Sequence, residues 1–97
     1  MIDLQQLIIG HRKEILHLAR KHGARNVRLF GSAVRGEAHA ASDVDLLVEM
    51  EPERSLTDLA GLVLDLQDLL DRKVDVVTED SIYWLLRRRI LKEAKAL

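Results

Sequence analysis

The chain has 97 residues, of which 47% are hydrophobic and 32% are charged, so residues 1–97 are expected to form one small folded domain. Its formal net charge is -1 and its aromatic residues are Phe30, Tyr83 and Trp84, which disfavours direct nucleic-acid binding because both a positive field and a base-stacking platform are missing. The absence of cysteine excludes disulfides and thiolate metal sites.

The N-terminal segment favours a helix. Asp3 and Gln6 have the spacing of a capping box, and apolar residues recur at helical spacing from Leu4 to Ala19. His11 lies on this apolar stripe, where we interpret it as a partly buried histidine with one satisfied nitrogen and not as a ligand. The segment has no basic targeting region, and no apolar run in the chain approaches the roughly 20 residues that span a bilayer. We therefore expect a cytoplasmic protein with no membrane segment.

Two short β-type runs come next. Residues 26–30 (NVRLF) stop at a Gly-Ser pair, where Ser32 can cap a brief helix that reaches Arg35. Residues 37–42 are expected to form a loop. The second run, residues 43–50, alternates so that Asp43 and Asp45 lie on one face of the strand. Aspartate is among the residues least suited to strands, so both acids need a compensating role.

The rest of the chain predicts a helix, a strand and a final helix. The first of these helices opens at Ser55 with Asp58, and its apolar side is Leu56, Leu59, Val63, Leu66 and Leu70. Residues 73–78 (KVDVVT) form a third strand with Asp75 between valines. A last helix from about Ser81 has the apolar side Ile82, Leu85, Leu86, Ile90, Leu91 and Ala94. This order predicts an α/β (α+β) fold with helices packed on a small mixed sheet of about three strands.

Three acids on two strands indicate a metal site. If the third strand lies beside the second, Asp75 projects from the same face as Asp43 and Asp45 and at a similar level. Such carboxylates repel one another unless cations lie between them, and Mg²⁺ prefers carboxylate oxygens and substrate phosphates. Two Mg²⁺ ions about 3.5 to 4 Å apart can activate an attacking oxygen and stabilise a departing one in nucleotidyl transfer.

The Gly-Ser pair is a candidate phosphate site. At Gly31 the backbone can come close to a ligand, and the free amides at a helix start bind anions together with the Ser32 hydroxyl. Arg35 either adds a contact to the phosphates or pairs with Glu37, and the sequence leaves both roles open.

Gly31-Ser32, ten intervening residues and Asp43-Val44-Asp45 reproduce a GS-x10-DxD signature. In this the chain resembles the DNA polymerase beta nucleotidyltransferase superfamily and, through FGSAVRGEAHAASDVDLLVE, the minimal nucleotidyltransferase (MNT) antitoxins that accompany HEPN toxins. The resemblance implies a nucleotidyltransferase fold in which Gly31 and Ser32 hold the nucleotide phosphates. It also implies that Asp43, Asp45 and Asp75 are catalytic ligands of magnesium and that Asp75 assists deprotonation of the acceptor hydroxyl.

The reaction implied by the resemblance is transfer of AMP from ATP to a tyrosine of the HEPN toxin, with release of pyrophosphate. The protein would then be a protein adenylyltransferase and antitoxin in a hetero-oligomer with its partner. Few residues follow Asp75, so we expect the acceptor to come from another molecule. The alternative is a non-catalytic binding module that neutralises its partner by occupying a surface. Mutually repelling strand acids favour the enzyme, because a pure binder does not need them.

Two features near the C-terminus have simpler interpretations. Residues 87–89 (RRR), with Lys92 and Lys95, suit the C-terminal part of a helix because basic side chains complement the helix dipole. A contact with an acidic partner or an RNA-bearing complex is the alternative. Tyr83 and Trp84 begin the helix, and we expect one ring to pack against the core, whereas an exposed Trp84 would make an interface anchor.

Overall fold

The structure is a computed structural model that describes residues 4–35 and 43–97, with Arg35 described by its backbone alone. The helices are α1 (Leu4–Gly10), α2 (Arg12–Lys21), α3 (Ser32–Arg35), α4 (Leu56–Leu70) and α5 (Trp84–Glu93), and a 3-10 turn covers Glu79–Ser81. The strands are β1 (Ala24–Phe30), β2 (Val44–Met50), β3 (Val74–Thr78) and β4 (Lys95–Ala96). The predicted loop at residues 37–42 and the predicted cap at Asp3 lie outside the described residues.

The four strands form one mixed sheet in the order β3-β2-β1-β4. Strand β2 pairs parallel with β3 and antiparallel with β1, and β4 pairs antiparallel with β1 at the far edge. The predicted mixed α/β fold is confirmed, with a fourth strand that the sequence did not indicate because two residues are too few to show alternation. Helix α5 connects one edge strand to the other and therefore crosses a face of the sheet.

The other face of the sheet carries the hydrophobic core. Alternate residues of β2 (Val44, Leu46 and Val48) are at most 1% exposed, as the period of two predicts. They pack in one cluster with residues of the long helices: Leu4, Ile8, Ile15, Ala19, Leu62, Leu66 and Leu70. Each fully buried aliphatic side chain of this kind stabilises the fold by about 1.5–3 kcal/mol. No helix within residues 4–35 and 43–97 is long and apolar enough to cross a membrane.

The N-terminal helix is interrupted where the sequence predicted one continuous helix. Helix α1 ends at Gly10 and α2 begins at Arg12, with His11 between them at φ -107° and ψ 14°. The His11 ring nitrogen Nδ1 donates to the carbonyl oxygen of Leu7 at 2.9 Å, and the His11 amide donates to the same oxygen at 3.1 Å. The half-buried histidine with one satisfied nitrogen is confirmed.

Helix α4 begins with the capping box that the sequence predicted. The amide of Thr57 donates to the Ser55 hydroxyl at 3.2 Å, and the amide of Ser55 donates to the Asp58 carboxylate at 3.0 Å. This backbone hydrogen bond from Ser55 lowers the pKa of Asp58. The predicted apolar side is confirmed at Leu66 and Leu70, which are buried together with Leu62, but it is wrong at Leu56, which is 82% exposed.

A charged contact ties α2 to α4, and it predicts an acid-sensitive stability. The ring nitrogen Nε2 of His22 lies 2.6 Å from the Asp65 carboxylate, and this hydrogen bond lowers the pKa of Asp65.

A lowered carboxyl pKa adds stability at pH values above the unfolded pKa of about 3.9, and this added stability is lost as the pH falls through the lower folded pKa. We expect Asp65→Asn to lower the melting temperature at pH 6, with the difference from the parent protein shrinking as the pH falls below the unfolded carboxyl value of about 3.9. Thermal unfolding monitored by circular dichroism from pH 2 to 7 measures this, with Asp68→Asn on the same helix as the control. An unchanged pH profile for Asp65→Asn would contradict the expectation.

Helix α5 departs from its predicted packing. It begins at Trp84, later than predicted, because Glu79–Ser81 form a separate 3-10 turn, and it contains no buried residue. Its predicted apolar side is partly exposed, with Leu85 at 59% and Leu86 at 47%. The expectation that one aromatic ring packs against the core is wrong, since Tyr83 and Trp84 are 60% and 72% exposed. The physical reason is that α5 crosses the sheet face opposite the main core.

Candidate functional site

Two of the three predicted acids are neighbours on adjacent strands. Asp45 on β2 and Asp75 on β3 are Cα partners in the parallel ladder. Partners in a parallel pair project from the same face, and adjacent strands lie about 4.8 Å apart. Asp45 is half-buried and Asp75 is exposed. The strand pairing that the sequence analysis assumed for Asp75 is therefore present.

The third acid, Asp43, stands one residue before β2 and is exposed. Its carboxylate lies 4.0 Å from Nζ of Lys73, the residue just before β3. Within the described ranges, 4–35 and 43–97, no group of three or more His, Cys, Asp or Glu side chains is placed to hold a metal ion. The structure thus pairs Asp45 with Asp75 and sets Asp43 against a lysine at the same end of the sheet.

Gly31 brings the backbone against this acidic pair. It follows Phe30, whose Cα partner across the antiparallel ladder is Asp45, and it has φ +81°. A Cβ atom added at Gly31 would collide with a carboxylate oxygen of Asp45. The distance from that Cβ atom to the Asp45 Cγ atom would be only 3.2 Å. Only glycine combines this left-handed conformation with so close an approach.

Ser32 and Arg35 are the two ends of α3, the brief helix predicted after the Gly-Ser pair. Ser32 is half-buried and is the first residue of the helix, so it lies inside the helix and not in the predicted capping position. The amide of Val34 donates to the Gly31 carbonyl at 3.1 Å and closes the turn. The side chain of Arg35 lies outside the described part of the chain, so its contact with phosphates or with Glu37 stays a prediction.

A pocket of about 280 Å³ opens beside the Gly31 backbone. Its lining combines the strand ends with α5: Phe30, Gly31, Asp45, Leu86, Arg89, Ile90 and Glu93. The Glu93 carboxylate accepts a hydrogen bond from the Gly31 amide at 3.2 Å, which ties the end of α5 to the turn. A larger pocket of about 680 Å³ near Ser55 and Thr78 contains none of the predicted site residues.

The contribution of α5 to this pocket was not predicted from the sequence. Leu86, Arg89, Ile90 and Glu93 recur at i, i+3, i+4 and i+7, so their common helix face was visible in the sequence. That this face meets Asp45 follows from the path of α5 across the sheet to β4, which no local pattern revealed.

The contact between Glu93 and Gly31 predicts a positioning role for Glu93. We expect Glu93→Ala to weaken binding of a magnesium–ATP analogue by about fivefold, because the turn loses a hydrogen bond of about 1 kcal/mol. Glu93→Gln keeps an acceptor oxygen and should restore most of the affinity. Isothermal titration calorimetry on the three proteins measures this. Tighter binding by both variants would show instead that the carboxylate competes with phosphate for the Gly31 amide.

The chemistry of this arrangement suits a cation together with a phosphate group. Carboxylate oxygens of the Asp45 and Asp75 type are ligands that Mg²⁺ prefers, and Mg²⁺ commonly uses one or two carboxylates plus substrate phosphates. The missing side chain at Gly31 lets the Asp45 carboxylate lie directly against the turn backbone. Asp45 and Asp75 therefore supply a pair of carboxylates of the kind that a magnesium–nucleotide site uses.

Comparison with known proteins assigns the chain to a family. The family described as "Nucleotidyltransferase domain" matches residues 10–97. The chain is 36% identical over 91 residues to the protein adenylyltransferase MntA of Thermococcus cleftensis, covering 94% of this chain and 89% of that protein. It is 42% identical over 83 residues to MJ0435 of Methanocaldococcus jannaschii, a candidate protein adenylyltransferase, covering 86% of this chain and 89% of MJ0435.

Solved structures agree with this assignment. A candidate minimal nucleotidyltransferase superposes with a TM-score of 0.87 at 44% identity, covering 99% of this chain and 97% of the other. A toxin–antitoxin complex with AMP-PNP contains a chain with a TM-score of 0.73 at 27% identity, covering 87% of this chain and 69% of the other. The signature of Gly31, Ser32, Asp43 and Asp45 lies within the matched residues. The chain belongs to the nucleotidyltransferase domain family.

Proposed function

We propose that this protein transfers AMP from ATP to a hydroxyl group of a partner protein, and that the partner is a HEPN-domain toxin which it silences as an antitoxin. The relatives named protein adenylyltransferase and the toxin–antitoxin complex with AMP-PNP support this proposal. The observation that carries it is the register pairing of Asp45 with Asp75, with the Gly31 backbone packed directly against the Asp45 carboxylate. A binding module has no need of adjacent acids at that position.

The proposed magnesium ligands are Asp43, Asp45 and Asp75, with two ions bound when the nucleotide arrives. Bound Mg²⁺ neutralises phosphate charge and lowers the pKa of a coordinated oxygen. Asp45 and Asp75 offer carboxylate oxygens on one sheet face, and Asp43 reaches the same end of the sheet from the residue before β2. Nζ of Lys73 lies 4.0 Å from the Asp43 carboxylate. When magnesium binds, this ion pair would break, or the carboxylate would contact both the lysine and the ion.

The remaining roles follow from position. Gly31 and Ser32 would hold the triphosphate through backbone amides and the serine hydroxyl, with Arg35 as a further phosphate contact. For this the Gly31 amide would exchange its hydrogen bond to Glu93 for one to the phosphate. Asp75 is exposed at the site and would assist removal of the proton from the acceptor hydroxyl, for which a tyrosine is proposed. A bond then forms between the acceptor oxygen and the α-phosphorus. The bond from that phosphorus to the bridging oxygen breaks, and pyrophosphate leaves.

A labelling experiment tests this reaction. The chain is incubated with magnesium, the product of the adjacent reading frame, and ATP labelled on either the α- or the γ-phosphate. We expect the partner to acquire α-label and no γ-label, and the variant Asp43→Ala/Asp45→Ala to transfer neither. Partner toxicity that the double variant still suppresses, with no label in any reaction, would favour the non-catalytic binder.

Ligand binding gives an independent test of the metal site. At 100 times its dissociation constant a ligand stabilises the folded state by about 2.7 kcal/mol, which raises the melting temperature of a domain of this size by roughly 10 °C or more. We expect this rise with magnesium and a non-hydrolysable ATP analogue together and a much smaller rise with either alone. An unchanged melting temperature would contradict the magnesium–nucleotide site.

A further inference from the structure

Four consecutive exposed apolar side chains stand at the start of α5 and are called the α5 patch here: Tyr83, Trp84, Leu85 and Leu86. These four residues are 60%, 72%, 59% and 47% exposed. The other exposed large hydrophobic residues of the described part (Ile9, Leu56 and Leu64) lie singly on α1 and α4. Clustered apolar exposure marks interaction sites, and aromatic residues are enriched among the residues that dominate binding energy.

Ion pairs and hydrogen bonds hold the α5 patch in place. Nη1 of Arg87 donates to the carbonyl oxygen of Glu79 at 2.8 Å, and Nη1 of Arg28 on β1 donates to the Glu79 carboxylate at 2.8 Å. The side chain of Arg28 is 14% exposed, so this ion pair is well shielded from solvent. The start of α5 is therefore attached to the sheet by two arginines, and the patch is presented on a fixed support.

The α5 patch is continuous with the proposed active site. Leu86 belongs to the patch and also lines the 280 Å³ pocket with Gly31 and Asp45. A side chain delivered to Asp45 through this pocket passes the α5 residues that line it. A second copy of this chain seated on the patch would cover Leu86 and obstruct that approach.

Basic side chains border the patch on the same helix. Arg88, Arg89 and Lys92 are exposed, and Arg89 also lines the pocket. The simple interpretation as partners of the helix dipole does not explain Arg88 and Arg89, which lie in the middle of α5. An apolar centre with a charged rim is the usual anatomy of a protein interface.

We propose that the α5 patch is the docking surface for the protein that receives AMP. The partner would place apolar side chains on Trp84, Leu85 and Leu86 and acidic groups near Arg88, Arg89 and Lys92, and its acceptor hydroxyl would enter the pocket past Leu86. This inference rests on the proposed function, because the acceptor is what must reach Asp45 and Asp75.

The test compares two leucines of similar exposure. Leu85→Asp places a charge in the α5 patch, and Leu64→Asp places the same charge on α4, where Leu64 is 65% exposed. Binding of the purified product of the adjacent reading frame is measured by calorimetry, together with AMP transfer and the melting-temperature rise with magnesium and the ATP analogue. We expect Leu85→Asp to weaken partner binding by 10- to 100-fold and to slow transfer at low partner concentration, with nucleotide binding unchanged. Leu64→Asp should match the parent protein.

The outcomes separate the two proposals. Equal partner affinity for Leu85→Asp and Leu64→Asp would overturn the docking surface whether or not AMP is transferred. A parent protein that binds its partner through the patch but transfers no AMP would refute the proposed function alone. If Leu85→Asp fails to fold, Trp84→Ala replaces it with the same expectation. If Leu85→Asp changes a dimer to a monomer in light scattering and leaves partner affinity unaltered, the patch belongs to a second copy and the proposal is overturned. The proposal is also overturned if Leu85→Asp loses binding to RNA while its affinity for the partner is unaltered.

Discussion

Asp45→Asn will lower the rate of AMP transfer by about a thousandfold, a loss of roughly 4 kcal/mol of transition-state stabilisation. Asparagine keeps the shape of the side chain between Gly31 and Asp75 and removes the charge that would bind magnesium. Asp45 is half-buried at the wall of the pocket, so a solvent ion cannot easily replace that charge. The rate is measured as α-labelled AMP on the partner under single-turnover conditions.

The control for this substitution is Asp68→Asn, which removes the same charge from an exposed position on α4. We expect Asp68→Asn to transfer AMP at the parent rate. We also expect Asp45→Asn to keep its partner affinity, since the α5 patch is unchanged. Transfer by Asp45→Asn within tenfold of the parent would show that Asp45 is not a ligand of the reactive complex.

Gly31→Ala will impair both folding and nucleotide binding. The backbone at Gly31 has φ +81°, and the added methyl group would collide with the Asp45 carboxylate. Each effect alone costs about 1–3 kcal/mol, so we expect a clear fall in melting temperature and no measurable binding of the ATP analogue at concentrations that saturate the parent.

A matched control exists at the end of α1. Gly10 is helical, and a Cβ added there meets no heavy atom within 4 Å. Gly10→Ala should therefore raise stability by up to about 1 kcal/mol, because alanine favours helix more than glycine does. Denaturant unfolding and calorimetry on the two variants separate a general effect of Gly→Ala from the special position of Gly31. Normal nucleotide binding by Gly31→Ala would contradict the proposed phosphate site.

The strand acids and the Gly-Ser turn were predictable because local rules govern them. A period of two assigns Asp45 to the face opposite Val44 and Leu46, and those valine and leucine side chains are indeed in the core. Ser55 and Asp58 predicted the start of α4 correctly, because a capping box is a local pattern that is complete within four residues.

Helix α5 was misjudged because its environment depends on distant parts of the chain. Its apolar spacing is typical of a core helix, yet the path from β3 to β4 places it on the second face of the sheet, where none of its residues is buried. The hydrogen bond between Glu93 and Gly31 joins residues that are 62 positions apart, and no sequence spacing encodes such a contact. The break at His11 was missed although its contact is local, because the ring of His11 donates to the carbonyl of Leu7 only four residues earlier.

The central claim is that Asp43, Asp45 and Asp75 act with magnesium to move AMP from ATP onto a partner. Mass spectrometry of the adjacent gene product, co-expressed with the intact chain or with Asp43→Ala/Asp45→Ala, tests it most directly. We predict a mass increase of one or more AMP groups on a tyrosine of the partner with the intact chain and none with the double variant. An unmodified partner that the intact chain nevertheless neutralises would contradict the catalytic account.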